Sequence, residues 1–361
     1  MPRYLGQIVR ALKGDVRLSM VADENRGGYD FAAAADVPLH QISGLASGLN
    51  LAVRWRALRA LGAVIRADPP DLVWAHARMA VLLVRARAVL RRDAPVAVTF
   101  HGLPFGVGHR RVAAWVSLRI ERALCRMMPP HHLLFLSQEA MRLYCREMPD
   151  KSLARHHVHV LQNCSDIGPV TPDRSAAGQG LRMVTFGRAG HQKNVAAAAP
   201  ILARLPQDAR LILCGIGTDT PQMRAAFAGL EDRVEFAGEV ADVRGPLARA
   251  DMLLMTSRYE GMPIAALEAF EAGLPLALPV IAGTEEIRAR HPLVAQIDVD
   301  QPQKAAAMIT SVFAQYKTDP AEFRRDIQQT WATHFSYDVW ARDLRGLAQT
   351  LLDRAGQSQS R

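Results

Sequence analysis

The sequence predicts an α/β protein of two parallel-sheet domains in tandem. Three observations predict it. Short apolar runs alternate with longer segments of helical periodicity through both halves of the chain. The alternation breaks once, at the Pro/Gly/Ser-rich stretch SDIGPVTPDRSAAGQG, 165–180, which has the composition of a linker. At 361 residues and 49% hydrophobic content, the chain is long enough to bury two cores.

The first half reads in order as follows. RYLGQIVRAL, from Arg3, is a helix. VRLSMVA (16–22), VPLHQI (37–42), LVWAHA (72–77), VAVTFHG (96–102), HLLFLS (132–137) and VHVLQN (158–163) are strands. Helices fill most gaps, notably 50–67, 78–92, 110–127 and 138–147. In a doubly wound sheet of order 3-2-1-4-5-6 the first strand is central, yet no apolar run precedes the helix at Arg3. We therefore expect Met1 to be internal, with about 10–20 upstream residues holding a Val/Ile/Leu-rich strand and a glycine loop. Strands 2 and 4 would otherwise lack a shared neighbour and leave ladder groups unpaired.

The second half repeats the strand–helix alternation from 181 to about 316, and two helices follow, around 320–332 and 336–355. FSYDVWARDLRGLAQTLL (335–352) sets Val339, Trp340, Leu344, Leu347 and Leu351 near helical spacing.

Charge is uneven. Residues 1–170 hold 23 Lys+Arg against 13 Asp+Glu, whereas 171–361 hold 21 against 22, so the net +9 resides in the first half. Such a field favours anionic partners: a membrane surface or a phosphorylated acceptor. Nucleic acid is disfavoured, because no recognised motif or aromatic–basic interleaving accompanies the charge. There is no run of 18 apolar residues, and the arginine-containing start does not read as a signal peptide. Cys125, Cys145, Cys164 and Cys214 show no Cys-x-x-Cys spacing and read as buried small residues in a reducing cytoplasm. His156-His157-x-His159 and Asp298-x-Asp300 are weak metal signals. The first lies in a strand with no Cys or carboxylate cluster nearby, and the second falls after the motifs that carry chemistry.

Those motifs sit at strand ends in the second half. MLLMTS (252–257) is a buried strand that delivers RYEGMPIAALEAFEAGLP (258–275): a loop with Glu260 and Gly261, then a helix carrying Glu268 two turns on. Doubly wound sheets bind ligands just outside the carboxyl ends of their strands, and free backbone N–H groups there hold anionic oxygens. LRMVTFG leads into FGRAGHQKN (186–194), where Arg188 follows Gly187 and Lys193 opens the next helix. An arginine fork and a lysine point charge suit a diphosphate. The chain has five lysines against 39 arginines, which makes the retained Lys193 mildly informative. LILCGIGTD (211–219) ends a strand in Gly215-x-Gly217, where a backbone can approach a ligand closely. RVEFAGEVADVRGPLARADMLLMTS (233–257) repeats the unit.

Together these residues resemble the donor-binding half of the retaining, family-4 glycosyltransferases of GT-B fold. The match runs Gly-Arg…Lys, Gly-x-Gly, Phe-x-Gly, then Ser-x-x-Glu-Gly-x-Pro-x-x-x-x-Glu-Ala. Its most specific part is the pair of glutamates separated by seven residues, and it is strongest over about 181–290. The resemblance implies two Rossmann-like doubly wound domains with an interdomain cleft: 1–170 on the acceptor side and 181–334 for the donor, with 335–361 crossing back to the first domain. It implies a nucleotide diphosphate-sugar as substrate, with no cofactor and no metal required. Arg188 and Lys193 would bind the diphosphate, Glu268 the ribose hydroxyls, and Glu260 the donor sugar. Ser257, the backbone from Gly261 through Met262 and Pro263 to Ile264, and the glycines 187, 215 and 217 would line the donor. In the family a histidine like His101 approaches donor sugar or acceptor. Here His101-Gly102-Leu103-Pro104 ends a strand, and His76 with Arg78 ends the strand before it.

The implied function is transfer of a sugar to an acceptor hydroxyl with retention, in cell-envelope or exopolysaccharide assembly. The implied place is the cytoplasm, peripheral to the inner face of the membrane, with a glycan or lipid-linked acceptor. Two alternatives stand beside it. One is a GT-B phosphorylase or nucleotide-sugar epimerase. The other is a non-catalytic partner subunit, against which the intact set Arg188, Lys193, Glu260 and Glu268 argues. One helix stays open in sense: HRRVAAWVSLRIERALCRMM (109–128) either lays its apolar residues on an anionic membrane or buries them and solvates its arginines.

Overall fold

The computed structural model describes residues 2–24, 27–45, 50–91, 94–106, 108–173 and 180–359, with side chains through Arg354 in the last helix. The chain forms two compact units. One holds Met1–Phe105, Arg111–Leu161 and Trp340–Arg361, the other Gly106–Arg110 and Gln162–Val339.

In the first unit, β1 (Met20–Asp23) and β2 (Leu39–Ile42) pair in parallel. β3 (Val73–His76), β4 (Val96–Phe100), β5 (His132–Phe135) and β6 (His157–Val160) form a separate parallel sheet in that order. Among the described residues no strand joins the two sheets, but their apolar side chains share one core: Val21 and Ile42 pack with Ala75, Val98 and Phe135. β4 and β5 are buried along their whole length, as central strands covered on both faces must be. β1 starts at Met20 rather than at Val16. Asp15 and Val16 instead donate their N–H groups to Leu12 O, closing the turn that ends the helix Pro2–Leu12. The last helix, Tyr337–Gln359, returns to this unit. Leu351 packs on Ala97 of β4 and Leu134 of β5, and Arg345 Nε donates to Ala11 O at 3.0 Å.

In the second unit, six parallel strands run β7 (Arg182–Phe186), β8 (Arg210–Cys214), β9 (Val234–Gly238), β10 (Met252–Leu254), β11 (Leu276–Pro279) and β12 (Val294–Ile297). Their order in the sheet is β12-β11-β10-β7-β8-β9, which is the doubly wound order with β7 as first strand. The strand order therefore reverses between β7 and β10, the place where such sheets bind ligands. The helix Ile264–Glu271 lies in the interior, with Leu267, Ala269 and Phe270 fully buried. Glu271 on this helix accepts N–H bonds from Ile167 at 3.0 Å and Gly168 at 2.9 Å, fastening the start of the linker. Burial raises the Glu271 carboxyl above its ordinary pKa.

Candidate active site

The loops leaving β7 and β10 meet at the reversal point and are stitched together. Arg258 N donates to Gln192 O at 2.8 Å, Thr256 Oγ1 to Asn194 O at 3.1 Å, and Arg258 Nη2 to Asn194 Oδ1 at 2.8 Å. Asn194 takes a left-handed φ of 49°, which asparagine tolerates better than most residues. Lys193 sits in the turn just before the next helical segment, which Asn194 caps and which runs as a 3-10 turn through Val195–Ala197 into the helix Ala198–Leu202.

This stitching brings Lys193 to Glu260, 67 residues apart in sequence. Lys193 Nζ lies 2.7 Å from Glu260 Oε1, and Ser257 Oγ donates to the same oxygen at 2.7 Å. Gln192 Nε2 donates to Oε2 at 3.3 Å. Glu260 is thus a buried carboxylate held by one cation and two neutral donors. Arg188, directly after Gly187, is exposed and makes no ion pair among the described residues. The two cations of the β7 loop differ in kind: one is locked to a carboxylate, the other is free to meet an anion.

The glycines have steric reasons. A Cβ on Gly215 would stand 2.3 Å from the Gly187 carbonyl oxygen, and one on Gly187 would stand 2.9 Å from Lys193 Cγ. The β7 and β8 loops therefore touch through backbone alone. Gly217 has φ +80°. Gly283, after β11, closes the other side: its Cβ would lie 2.6 Å from Glu260 O.

Gly261-Met262-Pro263 lead into the helix that starts at Ile264. Met262 is held by Asn163, whose Nδ2 donates to Met262 O at 2.8 Å. Glu268 is buried in the second turn of that helix. Sequence reasoning missed one contributor here. The segment Gly106–Arg110 joins this unit: His109 stacks on Tyr259 at 3.7 Å between centroids, and His191 Nε2 bonds Gly108 O at 3.0 Å. Gly108 has φ +90°, and a Cβ there would meet Arg258 O. Nothing in its local sequence marks it as part of the second unit.

In the first unit, the structure gathers His76 and His101 at the carboxyl ends of β3 and β4. His76 Nδ1 and His101 Nε2 lie 3.4 Å apart. Tyr4 sets its ring edge-on to His101 at 4.8 Å and to Trp340 at 5.8 Å. Burial lowers His101 to about 4 and pushes His76 well below the usual histidine value, helped by the charge of His101. Both rings are neutral near pH 7, so each carries one donor and one acceptor nitrogen. Ala77, between His76 and Arg78, has φ 67° and ψ 146°, a strained conformation of the sort found at functional sites. Arg78 Nη2 donates to Ser117 Oγ at 2.8 Å. Gly102 is exposed in the turn after His101.

With this geometry established, the likenesses are informative. The model of the glycosyl transferases group 1 matches residues 180–314, and that of the glycosyl transferase 4-like domain matches 1–164. The chain belongs to this glycosyl transferase family. The lipopolysaccharide glucosyltransferase WaaG of Escherichia coli K12 is 35% identical over 103 residues, covering 27% of this chain and 26% of its own. The UDP-Gal:alpha-D-GlcNAc-diphosphoundecaprenol alpha-1,3-galactosyltransferase of Escherichia coli is 25% identical over 264 residues, covering 66% of this chain and 65% of its own. This chain therefore spans less than two thirds of either relative. The fold is that of Anabaena HepE, crystallised with UDP and glucose: TM-score 0.78, 17% identity, covering 97% of this chain and 96% of that one. The architecture is GT-B, two parallel-sheet α/β units with the terminal helix belonging to the first.

Proposed function

We propose that this protein transfers a sugar from a nucleotide diphosphate-sugar to an acceptor hydroxyl with retention of configuration. The observation that carries the reading is the Lys193–Glu260 pair with Ser257, placed at the strand-order reversal of a six-stranded sheet whose loops approach through glycine. An ammonium has three N–H donors; Glu260 takes one, which leaves Lys193 donors for phosphate oxygens. Arg188 and Lys193 bind the diphosphate and stabilise the charge that develops on it as the sugar leaves. Glu268 takes the ribose hydroxyls, and Glu260 meets the donor sugar. The backbone from Gly261 to Ile264 supports sugar or phosphate oxygens.

The acceptor attacks on the face from which the diphosphate departs, and the departing phosphate oxygen takes the acceptor's proton. No enzyme nucleophile is needed. His101, with His76, Arg78 and Gly102, serves the acceptor side; neutral imidazoles suit hydroxyl recognition. We assign residues 1–170 to the acceptor side, 181–334 to the donor and 335–361 to the returning helix. UDP in the HepE structure and the diphosphoundecaprenol acceptor of the galactosyltransferase support a UDP-sugar donor and a lipid-linked acceptor. Envelope glycan assembly at the cytoplasmic face of the membrane is the setting that fits both.

The test is a panel of UDP-, GDP- and ADP-sugars in thermal-shift and donor-consumption assays. A bound donor at one hundred times its Kd stabilises the fold by about 2.7 kcal/mol. The reading requires one donor to stabilise the protein and to release nucleoside diphosphate with the product anomer retained. Consumption that needs inorganic phosphate, or epimerised donor without release, would replace it with one of the other chemistries. Binding without turnover on any acceptor would favour a non-catalytic subunit.

A further inference from the structure

The helix Arg111–Met127 of the first unit buries its polar side. Its inward residues are Ser117, Glu121, Leu124 and Cys125. The two polar ones are held by the helix Arg78–Leu90: Arg78 Nη2 donates to Ser117 Oγ at 2.8 Å, and Arg85 Nη1 to Glu121 Oε1 at 2.5 Å. Tyr144 OH adds a bond to Glu121 at 2.7 Å. These buried bonds fix the rotation of the helix about its axis, because releasing Glu121 would strand Arg85 in the core.

The opposite face carries Val112, Trp115, Val116, Ile120 and Met127, between 42% and 76% exposed. Val112, Trp115, Val116 and Ile120 fall at i, i+3, i+4 and i+8, and Met127 stands about two turns beyond Ile120, so they form one stripe. Single exposed apolar residues are ordinary, but a continuous stripe with a tryptophan marks a contact surface. Arg111, Arg119 and Arg126 flank it in solvent, and the Arg119 guanidinium lies 5.6 Å over the Trp115 ring. The only acid of the helix is Glu121, which is buried and paired. The outward face therefore presents apolar and positive groups and no negative one.

We propose that this helix is a membrane-docking element that lies in the plane of an anionic bilayer surface. Arginine stems spread along the stripe while their heads reach lipid phosphates, and tryptophan prefers the interfacial depth. Charge complementarity selects this occupant over a second copy, since two-fold pairing of the stripe would set arginine against arginine. The excess positive charge of residues 1–170 acts in the same direction. The proposal does not rest on glycosyl transfer, because binding is read without donor or acceptor.

The experiment is flotation of the full chain with phosphatidylcholine vesicles, with and without phosphatidylglycerol. The wild type is expected to float with the anionic vesicles, less so as salt rises. Trp115→Ser with Ile120→Ser should lower the partition coefficient at least about tenfold at an unchanged Tm, because both positions are exposed. Arg111→Glu with Arg119→Glu should remove the preference for phosphatidylglycerol. Met308→Ser, on the helix Pro302–Tyr316, should change nothing. Wild type that stays behind with anionic vesicles, or the serine variant floating as well as wild type, overturns the proposal. So does sedimentation showing that the stripe mediates self-association and no vesicle binding.

Discussion

Lys193 Nζ stands 2.7 Å from Glu260 Oε1, with the lysine side chain 26% exposed and the glutamate 7%. The exposed end of this pair is the cation. On the proposed reading an incoming diphosphate would meet the ammonium, while Ser257 and Gln192 also donate to Glu260.

Lys193→Ala and Arg188→Ala should each lower turnover by roughly a hundredfold or more, since on the proposed reading each removes a charge that stabilises the leaving group. Their folding should differ. Arg188 is exposed, so its loss should leave stability within about 0.5 kcal/mol. Loss of Lys193 leaves Glu260 with two neutral donors and should cost about 1–2 kcal/mol. Near-normal turnover by both variants on an identified donor would remove the diphosphate role.

Gly215→Ala should destabilise the second unit by on the order of 3 kcal/mol, combining positive-φ strain with overlap against a backbone carbonyl that cannot rotate away. Gly190, which has open space at its Cβ position, is the control. Urea unfolding of both alanine variants decides it; equal midpoints would mean that the β7 and β8 loops do not touch.

The buried pair Arg85–Glu121 predicts an asymmetry. Glu121→Ala should cost about 3–5 kcal/mol by leaving a guanidinium unpaired in the core, whereas Arg85→Met with Glu121→Leu should be close to neutral. Tyr144→Phe should cost about 1–2 kcal/mol. A double variant as damaged as the single one would show that the pair stabilises by more than mutual compensation.

Stability should fall on mild acidification. Burial lowers His291 to about 3 and His132 to about 3, and His101 to about 4. For such groups the unfolded chain, titrating near 6.5, takes up protons before the folded one. Their contribution is complete above about pH 6.5 and is lost as pH drops toward 4, at up to about 1.4 kcal/mol per pH unit for each histidine. His291→Gln should flatten the slope by about one proton, since Nδ1 accepts from Leu293 N and Nε2 faces Leu274 O. A flat stability profile from pH 6.5 to 4.5 would contradict these burials.

Much of this molecule was legible because its elements are locally consistent. The helices 51–67, 78–90, 111–127 and 138–147 start and stop within two residues of the apolar periodicity and its punctuation. The loops after β7, β8 and β10 were legible because glycine, a cation and a carboxylate stand at strand ends. Three features were not. The partner of Lys193 lies in another loop, and no local pattern pairs them. Ala77 adopts a positive φ that alanine does not advertise. The helix Arg111–Met127 reads equally well in either orientation until the buried arginine of its neighbour fixes one, because an arginine in sequence reads as a solvated charge.

The proposed reading makes the loops after β7 and β10 a nucleoside diphosphate site. Its most direct test is calorimetric titration of UDP, GDP and ADP into the wild type, Arg188→Ala with Lys193→Ala, and Glu268→Ala. One diphosphate should bind the wild type, and Glu268→Ala should weaken it by about 1.5–3 kcal/mol, the worth of a hydrogen bond to a charged group. The double variant should lose at least about tenfold, and the corresponding nucleoside should bind both alike. Equal diphosphate affinity in all three proteins would contradict the account, as would the absence of binding by any of the three nucleotides.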